Sequence, residues 1–213
     1  MEFKNDCRGL EAKKSIIEKY TIRILYRWTV LNQKEPLGGC CGALTDEAYT
    51  FEYEDKANAK ISGTFHVGYH CAEQFLNLLN LPKPPLVNLL RTLGSGGAKL
   101  RDPTGADKAA ADRTLHPLNR EVELAAVIIL QAWGEDPREP IRDTLKALRA
   151  RPLVPVQDSR IKALITVISH DQQHRTLAQM AQDLRKDNPE MLQPSFPEIL
   201  KIVAKLNLRD LIE

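Results

Sequence analysis

No run of apolar residues in this chain approaches the ~20 needed to cross a bilayer as a helix; the longest, Leu124–Leu130, is far shorter. The opening residues, M-E-F-K-N-D-C-R-G-L, are charged and lack the apolar core of a secretory signal, which predicts a cytoplasmic protein and argues against a membrane partner. Charge of one sign is also missing. With 30 basic and 28 acidic residues the net charge is +2, too little for a general field toward nucleic acid, so any such contact must come from a local patch. Cysteine is sparse, at four residues, and in a reducing compartment these are thiols or metal ligands rather than disulfides. Internal repeats and low-complexity tracts are absent. Thirteen prolines against eleven glycines point to defined turns.

What is present is concentrated between residues 38 and 71, which hold three of the four cysteines and two of the five histidines. The run G-G-C-C-G (38–42) puts glycines on both sides of Cys40 and Cys41, allowing the backbone to wrap tightly. Tyr49–Glu54 alternates aromatic with polar residues, 55–60 makes a turn, and Ile61–Val67 returns, so a hairpin is predicted. At G-Y-H-C (68–71) the period becomes helical, with Ala72, Phe75, Leu76 and Leu79 on one side. Cys71 then lies in a helix's first turn, where the dipole and free N–H groups favour a thiolate.

Before this stretch, residues 10–20 place Leu10, Ile16, Ile17 and Tyr20 on one helical stripe with charges opposite. Ile22, Ile24, Tyr26, Trp28 and Val30 follow at the period of two of a half-buried strand. After it, L-P-K-P-P stops the helix, and Pro85 is expected to open a short one carrying Leu86, Leu89 and Leu90. Helices are predicted over 118–133, apolar on nearly all sides, and over 140–150, 159–170 and 176–184. Ser195-Phe196-Pro197-Glu198 reads as a capping box opening a last helix. The fold class expected is α+β, mainly α: a β-rich unit with flanking helices at 1–95, a connector at 96–115 and a helical domain at 116–213.

Sulfur and imidazole donors at a glycine-rich turn and at a helix start suit zinc, which takes about four such ligands. Cys71, Cys41 and Cys40 lead the candidates, His66 and His70 compete for the remaining place, and Cys7 is available to replace a member of the adjacent pair. The arrangement in residues 39–80 resembles treble-clef zinc fingers, in which a knuckle (39–42) and a hairpin lead to a helix whose first turn (68–71) brings the last ligands. That resemblance implies a structural zinc ion. The usual two-residue spacing within each ligand pair is replaced here by adjacency.

Two further readings stand beside it. In one, Cys40 or Cys41 is a nucleophile with His66 or His70 as base. In the other, the basic run Arg138, Arg142, Lys146, Arg149, Arg151, Arg160 and Lys162 contacts nucleic-acid phosphates. His170-Asp171-Gln172-Gln173-His174 has histidines at metalloprotease-like spacing, but aspartate follows the first where that motif needs glutamate, so it reads as a polar helix end. The expected function is a non-enzymatic, zinc-containing binding or adaptor protein in a protein or nucleoprotein complex.

Overall fold

Helix α1 (Leu10–Lys19) runs directly into strand β1 (Tyr20–Thr29), where β-branched and aromatic residues replace the helical period. The computed structural model describes residues 7–33, 37–90, 115–134 and 139–213. Two compact units divide the chain, Met1–Val87 with Gly134–Asp136 and Asn88–Trp133 with Pro137–Glu213. The expected Gly-rich break at 94–97 lies outside the described residues, as does nearly all of the expected connector.

In the first unit, β1 is followed by β2 (Gly38–Gly39), β3 (Gly42–Ala43), β4 (Glu47–Asp55), β5 (Ser62–Gly68), helix α2 (Tyr69–Leu79) and β6 (Leu86–Val87). The main sheet has the order β5-β4-β1-β6, and β2 and β3 form a separate small ribbon. The predicted β4–β5 hairpin is present, its turn held by Asp55 Oδ1, which accepts from the N–H of Ala57 at 2.8 Å and of Asn58 at 3.2 Å. Instead of the helix expected after Pro85, Leu86 and Val87 extend alongside β1, pairing in parallel with Arg27 and Trp28. Their backbone covers part of an edge that β1 would otherwise leave open.

The alternation in β1 is broken once. Ile22 and Ile24 face Tyr53 and Phe51, but a bulge between Ile24 and Tyr26 then brings Tyr26 and Trp28 opposite Thr50 and Ala48. An extra residue reverses which side each later side chain takes. Tyr20, Ile22, Tyr49, Phe51, Tyr53, Phe65 and Val67 therefore share one face with Ala72, Phe75 and Leu76 of α2, as one hydrophobic cluster. Trp28, Thr50 and His66 are buried on the other face.

Helix α1 is rotated from the expected stripe. Ile16 is buried as expected, but Leu10 is 46% exposed and the residue buried one turn before Ile16 is Lys13.

The second unit contains α3 (Pro117–Trp133), α4 (Glu139–Ala150), α5 (Asp158–Ser169), α6 (Leu177–Asp187) and α7 (Pro197–Lys205). Helix α3 is buried along most of its length, as its apolar circumference predicts, and packs against α4, α6 and α7. The expected capping box at Ser195 is absent. Phe196 is the N-cap of α7, and Glu121 of α3 accepts instead from the N–H groups of Glu198 at 3.0 Å and Ile199 at 2.9 Å. Burial raises the Glu121 carboxyl above its usual range, partly offset by those two bonds. Glu121→Ala is expected to cost about 1–2 kcal/mol, as loss of a cap does, with Glu121→Gln losing less. Urea denaturation measures it, and an alanine variant as stable as wild type would make the cap dispensable.

The histidine-flanked segment also has a structural occupation. Helix α5 ends at Ser169, Asp171 is 2% exposed, and His174 has a left-handed backbone. The two histidines thus belong to a helix end and the turn after it, as the polar-end reading expected. No helix among the described residues is long and apolar enough to cross a membrane.

Candidate metal centre

The small ribbon makes the first half of the site. Gly38 pairs with Ala43 and Gly39 with Gly42, so Cys40 and Cys41 occupy a two-residue turn. Gly42 has φ of 135°, which side-chain-bearing residues rarely adopt, and a Cβ on Gly39 would lie 2.6 Å from Leu44 Cδ2 and 3.0 Å from the Gly42 carbonyl. Both glycines are therefore needed for the turn's shape. The Cys40 N–H donates to the His66 carbonyl at 2.8 Å, docking the turn on β5.

From the end of β5 the chain enters α2, and Cys71 is its third residue. Gly68, the N-cap, provides no side-chain bond to the helix's free N–H groups. The third contribution comes from the segment before α1. Cys7 is fully buried, with its sulfur 2.7 Å from that of Cys41, and Cys41 is 3.4 Å from Cys71. Cys40, beside Cys41 in the turn, is partly buried and packs against the same hydrophobic cluster as Cys7. Arg8 secures this approach by donating to the Cys41 carbonyl at 3.1 Å, and Lys13 donates to the Cys7 carbonyl at 2.5 Å.

The sulfurs of Cys7, Cys41 and Cys71 all lie within 4.8 Å of one another, and such a group can hold a metal ion. All four cysteines are free thiols. Burial pushes the Cys41 thiol up to about 11, and hydrogen bonding with Cys40 followed by burial pushes Cys7 up as well. These are protonated thiols near neutral pH, poor nucleophiles in this state. A metal ion would displace their protons on binding.

The histidines do not join them. His66 follows the strand alternation to the face opposite Phe65 and Val67, where its Nδ1 meets Thr50 Oγ1 at 2.9 Å. That hydroxyl also accepts from Trp28 Nε1 at 3.0 Å. His70 is exposed, its ring edge-on to Tyr69. Cys7, held as a substitute in the sequence reading, is thus central. Its signal was its place just ahead of a helix packed on the same core.

Two members of the expected phosphate-binding run have acidic partners. Arg149 pairs with buried Glu123 of α3, and Lys146 is 3.5 Å from Asp143. Arg142 and Arg160 are half-buried, Arg151 and Lys162 are exposed, and Arg138 lies outside the described residues.

Neither curated proteins nor solved structures gave a match to the chain. A family model does match, over residues 5–208, a span that takes in all four cysteines and nearly the whole of both units. The chain belongs to the family described as Uncharacterised conserved protein UCP028583.

Proposed function

We propose that this chain is a non-enzymatic binding protein, an adaptor or subunit of a protein or nucleoprotein complex, whose first unit is clamped by a structural zinc ion. Cys7, Cys41 and Cys71 would hold the ion, with Cys40 as the fourth sulfur. The observation that carries the reading is the convergence of three thiols from three separate segments: the residues before α1, the β2–β3 turn and the start of α2. Soft thiolate ligands select zinc over the hard cations that prefer oxygen. Free thiols at this density also fit a reducing cytoplasmic compartment.

The order of knuckle, hairpin and helix supports the treble-clef likeness, with Cys7 in place of a histidine. Raised thiol pKa values, the bonding of His66 to Thr50 and the exposure of His70 favour a structural role over a Cys–His nucleophile. In the helical unit, charge already matched by Glu123 and Asp143 leaves less for phosphates and favours a protein partner.

Elemental mass spectrometry of protein purified without added metal tests the reading. About one zinc per chain is expected, lost in Cys71→Ser, as a single structural site requires. Folded wild-type protein without metal would overturn it. Rapid alkylation of the thiols in zinc-loaded protein would favour thiol chemistry instead.

A further inference from the structure

We infer that Lys13 is the counter-cation of the sulfur cluster, a positioning residue that sets its affinity for a doubly charged metal ion. The inference rests on the zinc reading above and adds a residue that binds no metal itself.

Lys13 is 1% exposed, on the inward side of α1, where amphipathic spacing calls for an apolar side chain. A buried ammonium is costly unless an anion compensates it. Its neighbours are formally neutral: the Cys7 carbonyl at 2.5 Å, the Gly9 carbonyl at 3.4 Å and the Phe75 ring, 5.8 Å from Nζ to centroid. Among the described residues no carboxylate forms an ion pair with it. The carbonyl it binds belongs to Cys7, a member of the sulfur cluster, whose thiols would become thiolates on binding a metal ion. A divalent ion with three thiolates carries a net charge of −1, and with four −2, so the metal-bound state supplies the missing anion.

The arrangement is repeated at a second ligand. Arg8 donates to the Cys41 carbonyl at 3.1 Å, so two cations hold the backbone of two sulfur-bearing residues. Hydrogen bonds to those carbonyls place each positive charge close to the thiolates without competing for sulfur lone pairs. Such outer partners orient ligands and tune a metal site.

Zinc affinity is measured on metal-stripped wild type, Lys13→Gln, Lys13→Met and Lys13→Arg by competition with a chromophoric chelator. Thermal midpoints of each are taken with and without zinc. Lys13→Gln keeps a donor and drops the charge, whereas Lys13→Met drops both. Both are expected to bind zinc about 10–100-fold more weakly, the usual loss for an outer-shell partner, with Lys13→Arg recovering part of it. The zinc-loaded midpoint of the first unit should fall with the charge, whereas the zinc-free midpoint, which reports the helical unit, should match wild type. Unchanged zinc affinity in Lys13→Gln, with a lowered zinc-loaded midpoint, would make Lys13 a structural peg and overturn the inference alone. Failure of wild type to bind zinc would overturn the zinc reading and this inference with it.

Discussion

If the thiol cluster holds zinc as proposed, stripping it with a chelator at neutral pH is expected to unfold the first unit and leave the helical unit's own fold in place. A structural zinc site contributes about 10–16 kcal/mol of apparent binding energy in small zinc-finger peptides. That is comparable to the ~5–15 kcal/mol total stability of a typical domain. Cys7, Cys41 and Cys71 connect the entry to α1, the β2–β3 turn and the start of α2, so losing the ion releases all three at once. Tryptophan fluorescence separates the units, since the chain has two tryptophans, Trp28 in β1 and Trp133 in α3. Trp28 is fully buried. In a Trp133→Phe background, emission should therefore shift to the red on chelation and return when zinc is restored. Cys41→Ser should behave like chelated protein, because Cys41 lies in contact with both Cys7 and Cys71. Emission from Trp28 that does not respond to chelation would remove the clamp from the account of this unit's stability.

Much of this arrangement was legible because it rests on local periods. Alternation marked β1, β4 and β5, and a change to helical spacing at Gly68 placed Cys71 at the start of α2. The same alternation held the answer for His66: neighbours of Phe65 and Val67 must face away from the side those residues take. What was not legible depends on contacts distant in sequence. Cys7 meets Cys41 across 34 residues, and its place just ahead of α1 marks it as near the core without naming Cys41 as its partner. Lys13 looks like one of two ordinary surface lysines until α1 is docked, when it is buried and Leu10 is left exposed. The bulge in β1 has no mark in its sequence, yet it reverses the faces of Tyr26 and Trp28. Glu121 replaces a local cap on α7 from 77 residues away. Leu86 and Val87 became a strand because a partner edge existed, which local propensity does not record.

The largest effect expected in the helical unit is at Asp171. Its Oδ1 accepts from Trp133 Nε1 at 2.6 Å and Arg175 Nη2 at 2.9 Å. Its Oδ2 accepts from the N–H groups of Gln173 at 3.1 Å and Arg175 at 2.9 Å, and from Arg175 Nε at 3.1 Å. One carboxylate thus ties α3 to the turn between α5 and α6. Asp171→Ala leaves a largely buried guanidinium without its principal partner, a loss of about 3–5 kcal/mol. Asp171→Asn retains the shape and should lose less. Burial alone would raise this carboxyl, but hydrogen bonds from Arg175 outweigh it and hold it at about 2. Because the folded value lies below the ordinary ~3.9, the charged form stabilises the fold. That contribution, on the order of 2 kcal/mol, is fully present above the ordinary value and is lost as the pH falls toward about 2. Urea denaturation followed by circular dichroism should therefore show wild type and Asp171→Asn well separated at neutral pH and converging in acid. A separation that stays constant with pH would mean that the carboxylate's charge is not what holds this turn, and that its shape and hydrogen-bonding capacity are.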